Sequence, residues 1–123
     1  MQPKLPSITI KILESYKLWH ELRKTLEKFN KYSIGLKIDS LYVEIIERLF
    51  QAQYISKEKK VEVLQLATIK LDTLKFFVFT LLEIKGTSEE IYLKLNGTLE
   101  EVGKMLYGWK QQALKQTETK TTQ

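Results

Sequence analysis

The sequence predicts an all-α protein, an antiparallel up-down-up-down four-helix bundle formed by residues 7–112. Four segments carry apolar side chains at steps of three and four residues, which is the spacing of one face of an α-helix. Short polar breaks separate these segments, and helices joined by short connections pack antiparallel to their neighbours. Residues 1–6 are predicted to be an N-terminal arm. Residues 113–123 are predicted to be a disordered tail, because a Thr-, Gln- and Lys-rich segment has little to bury.

The first helix is predicted to begin with Ser7 as its N-cap and to continue to about Asn30. Its buried stripe is predicted to contain Ile12, Tyr16, Trp19, Leu22, Leu26 and Phe29. The opposite face carries lysines within a narrow sector, namely Lys17, Lys24, Lys28 and Lys31. Because Glu14 and Glu21 lie beside these lysines, the face is either a solvated surface with ion pairs or a contact surface for a polyanion.

The second helix follows a turn at residues 30–33 and carries two apolar stripes on opposite sides. The stripe predicted to enter the core contains Ile34, Ile38, Leu41, Ile45, Leu49 and Ala52. The other stripe contains Leu36, Val43, Phe50 and Tyr54. An aligned set of apolar side chains outside the core is a candidate interface.

The third helix repeats this two-sided pattern. It is predicted to begin after Ser56 as its cap and to end at a lysine followed by a glycine, residues 85 and 86. Its core stripe contains Ala67, Leu71, Leu74, Val78 and Leu81, and its second stripe contains Ile69, Phe76 and Phe79. Only one apolar side of a helix can pack within its own bundle. The second stripes of both helices therefore predict a homo-oligomer interface.

The fourth helix is predicted to begin with a capping box formed by Thr87 and Glu90. Its core seam contains Ile91, Leu95, Leu99, Val102, Leu106 and Trp109. Three glycines interrupt this helix, Gly97, Gly103 and Gly108. Each costs roughly 0.5–1 kcal/mol relative to alanine, so we expect another helix to lie close to them.

The formal charge is +5 and the isoelectric point is near 9.3. Residues 7–31 contain six basic and three acidic side chains, and residues 57–85 contain six and four. This excess is compatible with a polyanionic partner. On charge geometry alone, the candidate nucleic-acid-binding residues are Lys17, Arg23, Lys24, Lys28, Lys31, Lys70 and Lys75. Lys70 and Lys75 flank the core stripe of the third helix and could equally be structural.

Little in the sequence points to catalysis, so we expect no enzyme, no catalytic or metal-binding residues and no cofactor. The chain has no cysteine, and its single histidine, His20, lacks a second histidine for a metal or a partner for a triad. Asp39 and Asp72 lie within apolar helical segments, and Asp72 is predicted to pair with Lys75. The apolar runs are too short for a membrane span, and no signal peptide is evident, so we expect a cytoplasmic protein.

Three segments resemble signature segments of the Avd family, the accessory proteins of bacterial diversity-generating retroelements. They are KYSIGLKID at residues 31–39, KLDTLKFF at residues 70–77 and EVGKMLYGW at residues 101–109. The resemblance spans about residues 8–110 and includes the order of the helices. The family is similar to the four-helix-bundle proteins encoded in ribosomal RNA intervening sequences.

The resemblance implies a four-helix bundle that assembles as a homopentameric barrel with a positively charged surface. It implies RNA or DNA binding with little sequence preference. It also implies association with a reverse transcriptase that copies a template RNA into mutagenised cDNA during retrohoming. Two other hypotheses remain open: an oligomeric four-helix-bundle interaction module that binds no nucleic acid, and a metal-dependent bundle enzyme.

Overall fold

The computed structural model of the chain describes the backbone of residues 5–121 and the side chains of residues 5–117. Residues 1–4 of the expected arm and residues 122–123 of the expected tail lie outside this range. The described chain contains helices and no strand, which confirms the all-α part of the predicted fold class. It consists of α1 (Ser7–Thr25), α2 (Lys28–Lys31), α3 (Ile34–Ala52), α4 (Lys57–Glu83) and α5 (Glu89–Thr121).

The four long helices surround one hydrophobic core. α3 packs on α1 and α4, and α5 packs on α4 and α1. The predicted core stripes are buried almost throughout, and Trp19 and Tyr42 are the largest fully buried side chains. Burying an apolar side chain of this kind contributes roughly 1.5–3 kcal/mol. The periodicity of the sequence therefore located most of the core, but Ile91 is 42% exposed, and the buried Tyr42 and Leu64 were not in a predicted stripe.

The first predicted helix is wrong at both ends. Pro6 occupies the N-cap position, and Ser7 is already the first helical residue and caps nothing. α1 ends at Thr25, five residues before the expected end, because Leu26 adopts an extended conformation with ψ of 146°. At this end of α1 the Thr25 hydroxyl donates a hydrogen bond to the Leu22 carbonyl at 2.7 Å. The short helix α2 follows, and its Phe29 is 75% exposed instead of buried.

α4 ends in a Schellman motif that places a lysine where glycine is usual. Lys85 has a φ of 62°, in the left-handed region. The Gly86 amide donates to the Leu81 carbonyl at 2.8 Å, and the Lys85 amide donates to the Leu82 carbonyl at 2.9 Å. At residue 86 glycine is favoured by the lack of space and not by a positive φ, since a Cβ there would lie 2.5 Å from a Leu81 methyl group.

The start of α5 also differs from the prediction. Ser88, and not Thr87, caps the helix, because its hydroxyl accepts a hydrogen bond from the Ile91 amide at 3.2 Å. The Thr87 hydroxyl oxygen is buried and has no hydrogen-bond partner within the described part of the chain.

The expected tail at residues 113–123 is wrong for its described part, because α5 continues to Thr121. Ala113 is buried and continues the apolar seam one turn beyond Trp109. Alanine is a strong helix former, so it can extend the helix and its packed face. Because it is small, it gives a weaker sign of a buried position in the sequence than a bulky apolar residue does.

The three glycines of α5 do not mark a close helix contact as expected. A Cβ at Gly97 or Gly108 would meet nothing within 4 Å, and one at Gly103 would make only an ordinary contact with Leu71 at 3.6 Å. Gly97 and Gly108 lie three turns apart on the outward side of α5. Within this protomer, neither has a packing role that requires glycine.

Candidate functional site

The second apolar stripes of the sequence lie on the outside of the protomer. All seven of their side chains are exposed: Leu36, Val43, Phe50, Tyr54, Ile69, Phe76 and Phe79. The exposed fraction is 59% at Phe50 and 63% at Phe76, and it reaches 74% at Tyr54. Tyr54 lies in the turn that follows α3 and packs its ring against Phe50, with the ring centres 5.3 Å apart. We call the α3 set the α3 stripe and the α4 set the α4 stripe.

An ion pair lies on the seam between these two stripes. Lys70 Nζ is 3.2 Å from Glu44 Oε2 and joins α4 to α3. At about 100° per residue, Glu44 is rotated from Val43 toward α4, and Lys70 is rotated from Ile69 toward α3. The two stripes therefore flank a charged seam, and Leu66, which sequence reasoning missed, extends the α4 stripe by one turn.

The basic side chains of α1 and α2 form the second candidate surface. Lys17, Lys24 and Lys28 are exposed. Lys31 reaches back to α1, where its Nζ lies 3.5 Å from the carbonyl oxygen of Lys24. An open depression between α1 and α2 is lined by His20, Arg23, Lys24, Lys31 and Tyr32. Five of the seven candidate cations thus lie on α1 and α2, and three of those five line this depression.

Acidic neighbours partly neutralise this surface. Lys24 lies 3.2 Å from Glu21, and both side chains are exposed. Arg23 lies 3.5 Å from Asp39 in a partly buried contact. An exposed ion pair such as Lys24–Glu21 contributes little to stability. The depression therefore keeps a basic character.

Lys70 and Lys75 are not part of that surface. Each makes an ion pair with a neighbouring helix: Lys70 with Glu44 on α3, and Lys75 with Glu100 on α5 at 2.8 Å. Lys75 therefore does not pair with Asp72 as predicted. α4, which carries both lysines, packs against α3 and α5, and α1 packs against those same two helices. These ion pairs are consistent with the structural role that the sequence left open for Lys70 and Lys75.

A buried polar network lies where α1, α3 and α5 meet. The hydroxyls of Ser15 and Tyr42 are 2.7 Å apart, and the Thr98 hydroxyl lies 2.7 Å from Ser15. Burial raises the pKa of the Tyr42 phenol above its ordinary value of 10.0, and the hydrogen bond with Ser15 opposes that rise. Each hydroxyl is held by a neighbouring polar group, so the network serves packing and helix alignment.

Asp39, which the sequence left unexplained, links α3 to α1. Its Oδ1 accepts hydrogen bonds from the Tyr16 hydroxyl at 3.0 Å and from the Trp19 indole at 3.2 Å. Burial, followed by the hydrogen bond to Asp39, raises the pKa of Tyr16 above its ordinary value. Asp39 is therefore a structural acceptor, and it also orients Arg23 at the rim of the basic depression.

Sequence reasoning missed two exposed aromatic side chains: Tyr32 lines the basic depression, and Phe29 lies in α2 three residues before it. Phe29 was placed in the core, and Tyr32 was treated only as part of a turn, but they are 75% and 60% exposed. A signal was present in the segment KFNKY at residues 28–32, where aromatic residues alternate with lysines. That pattern is typical of surfaces that bind single-stranded nucleic acid.

Among the described side chains, residues 5–117, no group of three or more His, Cys, Asp or Glu is placed to hold a metal ion. None of the described helices combines the length and the apolar character needed to cross a bilayer. In comparisons with known proteins, no protein-family model, no curated protein and no solved structure matches this chain.

Proposed function

We propose that this chain is a non-enzymatic accessory protein of a diversity-generating retroelement. In this proposal it assembles with copies of itself in the cytoplasm, binds RNA or DNA without strong sequence preference and associates with a reverse transcriptase to support mutagenic retrohoming. The observation that carries the proposal is the pairing of an exposed apolar surface on α3 and α4 with a basic surface on α1 and α2. The resemblance of residues 31–39, 70–77 and 101–109 to the Avd family supplies the biological setting.

The up-down-up-down arrangement is part of this proposal and is supported by side-chain contacts. Lys11 lies 2.8 Å from Glu101, and Ser15 lies 2.7 Å from Thr98. Residue numbers therefore decrease along α5 in the direction in which they increase along α1, so these two helices are antiparallel. α4 and α5 follow the same rule, because Lys75 contacts Glu100 and Gln65 contacts Lys110. Neighbouring helices that run in opposite directions leave the outer faces of α3 and α4 side by side.

Self-association is supported by the size and alignment of that apolar surface. Monomeric proteins seldom expose contiguous apolar patches of more than a few hundred Å². The α3 stripe and the α4 stripe together expose seven large apolar side chains. Burial against other copies would remove these side chains from water at roughly 25 cal/mol per Å². A pentamer is the assembly that the Avd resemblance favours.

Nucleic-acid binding is supported by the placement of the cations. The basic surface lies on α1 and α2, and α1 packs against α3 and α5 instead of against α4. Assembly through the α3 and α4 stripes, none of whose side chains belongs to α1 or α2, would leave the basic side chains accessible. Five copies of a chain with a charge of +5 would carry about +25, which is a substantial field for a polyanion. Phosphate contacts would dominate the affinity, which would then fall steeply with salt.

The test combines solution mass with binding to a mixed-sequence RNA at several salt concentrations. We expect a mass well above the 14.5 kDa of one chain and an affinity that falls linearly on a log–log plot against salt. The charge-reversal variant Lys24→Glu/Lys28→Glu should bind more weakly. Its matched control, Lys57→Glu/Lys59→Glu, reverses two exposed lysines at the start of α4 and should bind more tightly than the first variant. Undetectable binding at low salt would remove the nucleic-acid part of the proposal.

A second candidate function is an oligomeric four-helix-bundle interaction module that binds no nucleic acid. The ion pairs of Arg23 with Asp39 and of Lys24 with Glu21 favour it, because they neutralise two positive charges of the basic surface within the protomer. The same experiment separates the two functions. A stable assembly without RNA or DNA binding would favour the interaction module, and co-purification with a reverse transcriptase encoded beside this chain would favour the retroelement role.

A further inference from the structure

Two aromatic rings, one in α2 and one at its C-cap, take no part in the hydrophobic core. Phe29 and Tyr32 are both largely exposed, and we call this pair the aromatic patch. Between residues 27 and 33 they are the only apolar side chains apart from the stems of the lysines. The α3 and α4 stripes, in contrast, include aliphatic side chains suited to a dry protein contact. The aromatic patch is therefore a different kind of surface.

We propose that the aromatic patch stacks unpaired bases of a single-stranded nucleic acid. The lysines around it would hold the backbone phosphates of the same strand: Lys24, Lys28 and Lys31. This inference rests on the proposed nucleic-acid binding and names the substrate class and the contact residues of that site. Every base has a flat π-face, so stacking on aromatic side chains adds affinity without sequence preference.

Local charge favours an anionic occupant of this surface. Residues 20–37 contain five Lys and Arg side chains and two acidic ones. Tyr32 shares the open depression with Arg23, Lys24 and Lys31, so cations and an aromatic ring face one space. A strand that stacks on Tyr32 would bring its phosphates within reach of these cations. A neutral apolar peptide would gain nothing from them.

The backbone around α2 is held firmly enough to present the two rings. Leu26 is buried and anchors the chain before α2. The Ser33 hydroxyl donates a hydrogen bond to the Phe29 carbonyl at 2.7 Å, and the Tyr32 amide donates to the Lys28 carbonyl at 3.2 Å. Gly35 allows the Asn30 carbonyl to approach α3, since a Cβ there would lie 2.9 Å from that oxygen. The backbone that carries the aromatic patch is thus fixed by contacts with the rest of the bundle.

The experiment compares Phe29→Ala/Tyr32→Ala with the wild-type chain by fluorescence anisotropy. Two labelled probes are used: a 12-nucleotide mixed-sequence DNA strand and an abasic strand of equal length and charge. We expect the variant to bind the normal strand at least about five-fold more weakly and to bind the abasic strand as the wild type does. Tyr107→Ala, which removes a 63% exposed tyrosine on α5, is the matched control and should retain wild-type affinity.

The ring-conserving variant Phe29→Tyr/Tyr32→Phe should retain affinity for the normal strand, which separates stacking from damage to the fold. Equal binding of the normal strand by the wild type and the alanine variant would overturn the inference and leave the proposed function standing. An equal loss on the abasic strand would also overturn it. So would a lower solution mass of the alanine variant, because the rings would then belong to a contact between copies. A wild-type chain that binds neither strand would overturn both proposals.

Discussion

The indole Nε1 of Trp19 donates a hydrogen bond to Asp39 Oδ1 at 3.2 Å and so joins the fully buried aromatic side chain of α1 to α3. The Tyr16 hydroxyl donates to the same oxygen at 3.0 Å. Asp39→Ala would leave a buried indole N–H without an acceptor and remove two hydrogen bonds to a charged group. We expect the free energy of unfolding to fall by about 2–3 kcal/mol, measured by urea denaturation.

Glu47→Ala is the control for that measurement, because Glu47 is an exposed acidic residue on the same helix. It should change the free energy of unfolding by no more than about 0.5 kcal/mol. If both variants were equally stable, Asp39 would have no structural role in aligning α1 with α3.

The core could be predicted from the sequence because burial imposes a period of 3.6 residues on each helix. The same rule placed the α3 and α4 stripes, whose side chains are exposed in the protomer. The break at Leu26 could not be predicted, since neither glycine nor proline marks it. The role of Asp39 could not be predicted either, because the side chains that donate hydrogen bonds to it belong to a helix about 20 residues earlier.

The candidate site was only partly predictable for a related reason. Lys17 and Lys24 lie two turns apart on α1, and helical spacing within one segment brings such residues to one face, whereas Lys28 lies beyond the break at Leu26. Whether Lys70 and Lys75 are available depends on Glu44 and Glu100, which belong to other helices. Single-segment reasoning finds clusters on one helix, but it cannot find the ion pairs that neutralise a lysine across a helix contact.

Tyr42 should make stability depend on alkaline pH. Burial raises the pKa of its phenol above the ordinary value of 10.0, so the folded state favours the protonated form. The resulting contribution is fully present below pH 10 and is lost as pH rises through the higher folded pKa. Tyr42→Phe, which cannot ionise at this position, should lose less stability than the wild type between about pH 9.5 and 11.5. Chemical denaturation of both proteins across that range gives the slope of the unfolding free energy against pH. Equal slopes for the two proteins would contradict the prediction.

Lys85 is a site where a glycine should stabilise the protein. Its φ of 62° costs a residue with a Cβ roughly 1–2 kcal/mol, which glycine avoids. After the greater chain entropy of glycine in the unfolded state is subtracted, Lys85→Gly should raise the free energy of unfolding by about 0.5–1 kcal/mol. Lys104→Gly, at an exposed position inside α5, should lower it by about the same amount. In thermal unfolding, the midpoint temperature should rise for Lys85→Gly and fall for Lys104→Gly.

Gly97 and Gly108 should both tolerate alanine. A Cβ at either position meets no atom within 4 Å, and both lie inside α5. Each substitution should therefore raise the free energy of unfolding by about 0.5–1 kcal/mol in urea denaturation. Gly35→Ala is the contrasting variant, because its Cβ would collide with the Asn30 carbonyl oxygen, and it should be destabilising. A loss of solution mass on Gly97→Ala or Gly108→Ala would instead show that another copy approaches α5.

The apolar stripes lead to the prediction with the widest consequences. Val43→Asp/Phe76→Asp places one charge in each stripe at a position that is exposed in the protomer, so the isolated bundle should fold normally. Within an interface each unpaired carboxylate would cost several kcal/mol, because it would lose its hydration without gaining a partner. Light scattering should therefore find the variant near the 14.5 kDa mass of one chain and the wild type well above it.

Leu93→Asp is the matched control, because it introduces the same charge at a 58% exposed leucine on α5, outside both stripes, and it should keep the wild-type mass. The dissociated variant should also bind RNA more weakly, although no candidate cation has been changed, because linked copies raise the effective concentration of their binding surfaces. A wild-type chain that scatters as a single protomer would contradict the assembly. A dissociated variant with undiminished RNA affinity would show that each protomer binds RNA independently of its neighbours.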